Sequence, residues 1–355
     1  MKQRVLVAMS GGVDSSVAAA LLVRAGYDVV GVAMRLWKGP SDSGCCSLDD
    51  FLDARRVAAR LSIPFYVMDF SDLFESQVVR PFAEEYLRGR TPNPCARCNQ
   101  FVKFDALLER ARSLGAQLVA TGHYARLVRS PDSSEVSLHA AHSVEKDQSY
   151  FLFGIQRETL PYLLFPVGDK HKEEVRALAR SLQLPVAEKP ESQEVCFVPR
   201  RDYASFVESY LGTGGIAGDI VHENGTVLGR HRGIHRFTIG QRRGLGVSNG
   251  APLYVTGLDP VRGLVQVGNR SATVAKGLRA TAVNWLVPQP PRAGQRLTVK
   301  IRSRFRNAPV VVEETSSAHF VVSAPNGLQA VTPGQAAVLY DGDQVVGGGW
   351  IDAAL

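Results

Sequence analysis

Several things are scarce in this 355-residue chain, and each scarcity removes a class of protein. No apolar run approaches the roughly 20 residues that a membrane-spanning helix needs, so no membrane partner is expected. The first apolar stretch, Val5 to Met9, runs into a polar glycine loop and not into a small-residue cleavage site. A secretory start is therefore not expected, and the reading is cytoplasmic. Cysteines number only five, an odd count arranged as Cys45-Cys46, Cys95-x-x-Cys98 and a distant Cys196. Such spacing is not the disulfide framework of a small secreted domain. It leaves thiol chemistry or buried small side chains. Internal repeats and low-complexity tracts are missing too, which excludes a solenoid or a linker-like chain.

What is present describes a soluble globular protein: 45% apolar residues, 21% charged, and length for two or three domains. A net charge of +7 favours a polyanionic partner without requiring one. Short apolar runs at Val5 to Met9, Val29 to Met34, Phe65 to Asp69 and Leu118 to Ala120 predict strands. Helical spacing fills the gaps at Ser15 to Ala25, Leu48 to Leu61, Asp72 to Arg88 (interrupted by Pro81) and Asn99 to Leu114, with a further helix at His171 to Leu182. This alternation predicts an α/β fold, a doubly wound parallel sheet over residues 1–204 whose ligands bind beyond the carboxyl ends of the strands. Dense glycines from Gly212 to Gly233 predict a small β-containing central domain, residues 205–275. Past the proline-rich segment Val287 to Arg292, strand-like runs at Arg296 to Ile301, Val310 to Glu313, His319 to Ser323, Ala336 to Tyr340 and Gln344 to Gly348 predict a C-terminal β-barrel, residues 276–355.

The first strand feeds Ser10-Gly11-Gly12-Val13-Asp14-Ser15-Ser16, after which a helix begins. Backbone N–H groups of a glycine turn and the positive end of a following helix make a cradle for phosphate. No lysine follows the glycines, so this is not a Walker A loop. The plain alternative is a capped tight turn. Cys98 lies between Arg97 and the start of a predicted helix, two features that lower a thiol pKa. Basic stretches occur at Arg126 to Arg129, Arg230 to Arg236, Arg242-Arg243 and Lys300 to Arg306, each of which also suits a solvated face.

The S-G-G-V-D-S-S string resembles the PP-loop of the N-type ATP pyrophosphatases, the adenine nucleotide alpha hydrolase-like domain. Thr91-Pro-Asn-Pro-x-x-x-Cys98-Asn99, Thr121-Gly-His-Tyr124, Lys146-Asp-Gln-Ser-Tyr-Phe-Leu152, Ser192-Gln-Glu-Val-Cys-Phe197 and Thr238-Ile-Gly-Gln-Arg-Arg-Gly-Leu-Gly246 resemble the tRNA 2-thiouridylases, in the family's order. The resemblance weakens only in the C-terminal barrel. It implies ATP on Ala8, Met9, Ser10, Gly11, Gly12, Val13, Asp14 and Ser15, with Met34 and Gly122 on the adenine side. Core packing is the alternative for Met34. Asp14 is expected to help place Mg2+. The resemblance further implies a persulfide on Cys196, loaded by a sulfur-relay or cysteine desulfurase donor. Cys98 is then nucleophile or resolving thiol, and a transient Cys98–Cys196 disulfide follows. tRNA contacts are implied at Asn93, Pro94, Cys95, His123, Lys146, Asp147, Gln148, Arg302, Ser303 and Gln335. Relatives often carry an acid where this chain has Cys95, so the general base is elsewhere, with His123 a stand-in, or is dispensable. An iron-sulfur cluster on Cys95, Cys98 and Cys196 is the minority cofactor reading. For Cys45 and Cys46, incidental or buried thiols are expected. The competing functions are a PP-loop ligase acting on a small molecule, and a tRNA-binding or sulfur-carrier module without catalysis.

Overall fold

The structure is a computed structural model that describes residues 2–39, 47–131, 135–190, 195–199, 202–248 and 250–355. Cys45, Cys46 and the Ser192 to Glu194 part of the Cys196 motif lie outside the described residues. The chain divides into two compact units. The first comprises Met1–Val78, Cys95–Arg201 and Asp343–Val345; the second comprises Val79–Pro94, Asp202–Gly342 and Val346–Leu355.

In the first unit, strands β1 (Arg4–Ala8), β2 (Asp28–Arg35), β3 (Phe65–Asp69), β4 (Leu118–Ala120) and the short Leu163–Leu164 form a parallel sheet. Its order is β3, β2, β1, β4, Leu163–Leu164. β1 lies inside the sheet, pairing Val5 with Val29 on one side and Leu118 on the other. That position explains why Val5, Leu6 and Val7 form one continuous apolar run with no exposed surface, not an alternating one. The edge strand β3 leaves Tyr66 and Val67 half exposed. Chain order reverses between β1 and β4, so the loops leaving those two strands flank the crevice expected of such sheets. Helix α1 (Val13–Arg24) begins at that crevice with Gly12 as its N-cap and no side-chain cap on its N–H groups. By contrast, α2 (Leu48–Arg60) starts with a complete Ser47–Asp50 capping box.

Two predicted helices differ in detail. The Asp72 to Arg88 run is α-helical at Ser71–Phe74, π-helical at Glu75–Val79 and α-helical again at Arg80–Leu87. Pro81 falls in the first turn of the last piece, where its missing N–H costs little. The run expected from Asn99 starts earlier, as a turn at Pro94–Arg97, continues as a π-helical stretch Cys98–Ala106, and ends as Leu107–Ser113.

The second unit holds two β modules. A four-stranded sheet orders Tyr254–Asp259, Leu264–Gly268, Gly218–His222 and Val227–His231 around Ile220, Val255, Val265 and Val267. Six strands follow, from Val274–Trp285 to Gln344–Ala354, and pairing of the last with the first closes them into a barrel. Leu278, Val299, Val312, Phe320, Val322 and Leu339 fill it. The fold class read from the sequence is the one observed. The sequence pass missed the barrel's first strand because register shifts at Ala275/Gly277 and a positive φ at Ala282 break its alternation.

Candidate active site

A cleft of about 350 Å³ opens at the crevice of the first unit, a volume suited to a small ligand. Ala8, Met9, Ser10, Gly12, Val13, Asp14, Ser15, Met34 and Gly122 line it. The two loops that bound it abut: a Cβ on Gly122 would stand 2.5 Å from the Ser15 backbone nitrogen. Only glycine fits there. Gly11 takes a left-handed φ of +72°, and a Cβ on it would meet the Asp50 carbonyl at 2.3 Å. Within the loop the Ser10 N–H donates to Ser15 Oγ at 3.1 Å, and Ser16 Oγ donates to the Gly12 carbonyl at 2.8 Å. The side chains thus hold the turn, leaving uncapped helix N–H groups toward the cleft, the arrangement that binds anions.

Lysines surround this cradle: Lys103, Lys146, Lys172 and Lys189 all line the cleft. Lys172, buried at the start of the helix Lys172–Ser181, bonds both Asp14 carboxylate oxygens at 2.7 and 2.8 Å. Tyr124 donates its hydroxyl to the same carboxylate at 2.7 Å. Lys189 spans Asp50 and Asp53 at 2.8 and 2.6 Å. Asp14 is thus already engaged by a lysine and a phenol.

His123 packs its ring against Phe104 and Phe165, at 5.8 and 6.1 Å between ring centres, with Nδ1 2.7 Å from Thr121 Oγ1. Burial, and then the nearby Lys103 charge, hold its pKa well below 6.5, so the imidazole is neutral at physiological pH. Gln148 locks this loop by accepting the Tyr124 N–H and donating its own backbone N–H to the Tyr124 carbonyl. The Asp147 carboxylate accepts the N–H groups of Ala141 and Ser149, shaping the turn.

The cysteines differ sharply in exposure: Cys95 is exposed, Cys98 buried and Cys196 intermediate. Cys98 begins the π-helical stretch, a turn inside the helical run that starts at Pro94, so it is not ahead of a helix N-terminus. Arg97 donates to the Gln77 carbonyl at 2.7 Å and stacks on Phe101. Phe197, next to Cys196, is buried with its edge on Phe74 at 5.6 Å. Phe74 belongs to the Ser71–Phe74 turn, which packs against the stretch that begins with Cys98. Among the described residues no three His, Cys, Asp or Glu side chains are grouped to hold a metal ion. The cluster reading for Cys95, Cys98 and Cys196 therefore gains no support from the geometry.

In the second unit, Asn93 and Pro94 are buried. The Gln335 amide donates to the Thr91 and Pro92 carbonyls, both at 3.1 Å, so it shapes the Thr-Pro-Asn-Pro segment. Arg302 and Ser303 stand exposed in the loop 301–307, with the Arg302 guanidinium over Phe305. Of the basic stretches, Arg126 is paired with Asp343 and Arg236 with Glu208, whereas Arg242, Arg243, Arg304 and Arg306 are exposed.

Three family models match successive parts of the chain. They are described as a tRNA methyl transferase HUP domain (residues 3–200), a tRNA methyl transferase PRC-barrel domain (204–269) and an aminomethyltransferase beta-barrel domain (275–351). The tRNA-specific 2-thiouridylase MnmA of Geotalea uraniireducens is 49% identical over 362 residues, 100% of this chain and 96% of that protein. The enzyme of the same name from Solibacter usitatus is 49% identical over 369 residues, 99% of this chain and 100% of that protein. This chain belongs to the tRNA-specific 2-thiouridylase family. The domain descriptions say methyl transferase, but the full-length relatives define the narrower family. Among solved structures, the U34-tRNA thiolase NcsA from Methanococcus maripaludis, with its 4Fe-4S cluster, is 18% identical over 59% of this chain and 66% of that one, with a TM-score of 0.36. That likeness carries no argument about the site.

Sequence reasoning missed Lys103, Lys172 and Lys189. A single buried lysine at a helix start leaves no pattern in a sequence. Only the Lys189-Pro190 position, shortly before the Cys196 motif, carried a signal of importance.

Proposed function

We propose that this member of the thiouridylase family is an ATP-dependent tRNA 2-thiouridylase acting on the wobble uridine. What supports it most is full-length family identity together with a phosphate-suited cleft in the same unit that holds both Cys98 and Cys196.

Uracil O2 is a poor leaving group, so ATP, accompanied by Mg2+, adenylates it and pyrophosphate departs. The loop Ala8 to Ser15 holds the phosphates, with Met34 and Gly122 beside adenine. The target base must leave its stack to be reached. Asn93, Pro94 and Cys95 flank it, and His123 and Lys146 to Gln148 contact the tRNA with Arg302, Ser303 and Gln335. The terminal sulfur of a Cys196 persulfide, supplied by a sulfur-relay protein or a cysteine desulfurase, attacks C2 and AMP leaves. The Cys98 thiolate attacks the Cys196 sulfur, breaking the S–S bond to the new thiocarbonyl and closing a Cys98–Cys196 disulfide. An external dithiol then restores both thiols, supplying the two electrons. With Cys95 in place of an acid, neutral His123 is the candidate base.

The test combines purified protein, unmodified tRNA, labelled ATP and a sulfur source. tRNA-dependent pyrophosphate release with 2-thiouridine in digested tRNA is expected. Cys196→Ser keeps the first and loses the second. Release that needs only a metabolite would point instead to a small-molecule ligase.

A further inference from the structure

The cleft presents a carboxylate where a polyanion is to bind. Asp14 lies in the first turn of α1, within the glycine string that cradles phosphate. Left alone, its charge would repel a triphosphate at close range, and more so in a half-buried site than in water. The opposing charge comes from an element far away in sequence. Lys172, the first residue of the helix Lys172–Ser181, is 158 positions from Asp14. Its side chain is 8% exposed against 30% for Asp14, and both line the cleft. A buried lysine is costly unless paired, so its placement here is a commitment by the fold. Tyr124 completes the arrangement: its hydroxyl donates to Asp14 while its ring lies 5.7 Å from the Lys172 ammonium.

We propose that Asp14 and Lys172 form an exchangeable clamp for the pyrophosphate half of ATP. This rests on the reading of the cleft as the ATP site. When the nucleotide enters, the Lys172 ammonium, a compact charge with rotatable donors on a flexible stem, turns from Asp14 to the phosphate oxygens. Tyr124 keeps its hydrogen bond and holds the Asp14 carboxylate in place, now facing the divalent cation that accompanies the nucleotide. Neither state leaves an uncompensated buried charge. Lys172 then faces the departing pyrophosphate, where negative charge accumulates as the α–β bond breaks.

The experiment is calorimetric binding of inorganic pyrophosphate, ATP and AMP to the full chain, with magnesium and then with EDTA. With magnesium, Lys172→Met weakens pyrophosphate and ATP by about tenfold or more, the scale of a lost charge-assisted hydrogen bond. AMP stays within about twofold on the same scale, and Lys172→Arg recovers part of the loss. In EDTA, Asp14→Asn binds pyrophosphate several-fold more tightly than wild type, and the Asp14→Asn/Lys172→Met double variant loses that gain. Unchanged pyrophosphate affinity in Lys172→Met would overturn the clamp. So would a parallel loss of AMP binding, or a gain that persists in the double variant. Should Lys172→Met fail to fold, the double variant, which buries no lone charge, carries the comparison against Asp14→Asn. A wild-type protein that binds neither ATP nor pyrophosphate sinks the functional reading itself, and the clamp with it.

Discussion

Two groups of cations in this molecule meet anions in opposite ways. Lys172 and Lys189 are largely covered and bonded to Asp14, Asp50 and Asp53. Arg302, Arg304 and Arg306 stand exposed on the loop 301–307 of the barrel, in no ion pair among the described residues. The first group holds charge in a preset geometry, which favours one ligand shape. The second offers an open field that any phosphate backbone satisfies and that salt screens.

The strongest challenge to this contrast is Gly122→Val. Its side chain would be forced into the Ser15 backbone, and displacement of the loop by about 1 Å costs on the order of 100-fold in turnover. We expect tRNA-dependent pyrophosphate release to fall by at least about 100-fold. Near-normal release would mean the cleft is as forgiving as the barrel loop. Replacing Arg302, Arg304 and Arg306 together by alanine should weaken tRNA binding about tenfold and flatten its salt dependence, by about 2 in the log–log slope for three phosphate contacts. ATP affinity should not move. An unaltered slope, in filter binding across a salt series, would remove the loop from the tRNA surface.

Smaller effects sharpen the covered group. Lys189→Met leaves Asp50 and Asp53 without their shared cation, and partial exposure limits the cost to about 1–2 kcal/mol in urea unfolding. Burial works against the Lys189 charge, but hydrogen bonds to Asp50 and Asp53 outweigh it and raise its pKa above 10.5. Its contribution is therefore full below that value and is lost as pH rises through the higher folded value. Unfolding midpoints of wild type and Lys189→Met should accordingly converge at strongly alkaline pH. The smallest effect belongs to His123. With its pKa held well below 6.5, its stabilising contribution is present above 6.5 and drains away as pH falls toward the folded value. His123→Phe should show a flatter midpoint-against-pH curve between about pH 7.5 and 5. Parallel curves would mean the ring is not desolvated.

Much of this was legible beforehand, for physical reasons. A strand buried on both faces writes a continuous apolar run, and a phosphate turn needs glycines in order, so β1 and Ser10 to Ser15 announce themselves. Lys172 does not, because its partner is brought to it only by the packing of two helices. The π-helical stretch starting at Cys98 was equally hidden: its periodicity differs too little from 3.6 to show in nine residues. Nor could spacing reveal that Gln335 grips Thr91 and Pro92, or that the Asp147 carboxylate is spent on turn geometry.

The chain's division into units has a practical corollary for anyone wishing to dissect it. The polypeptide passes between the two units five times, at 78/79, 94/95, 201/202, 342/343 and 345/346. Asp343, which Arg126 and His139 engage in the first unit, is encoded beyond most of the barrel. Truncation after residue 204 would thus deliver a nucleotide-binding fragment stripped of that acid, and would strand Val79–Pro94 apart from the unit with which it folds.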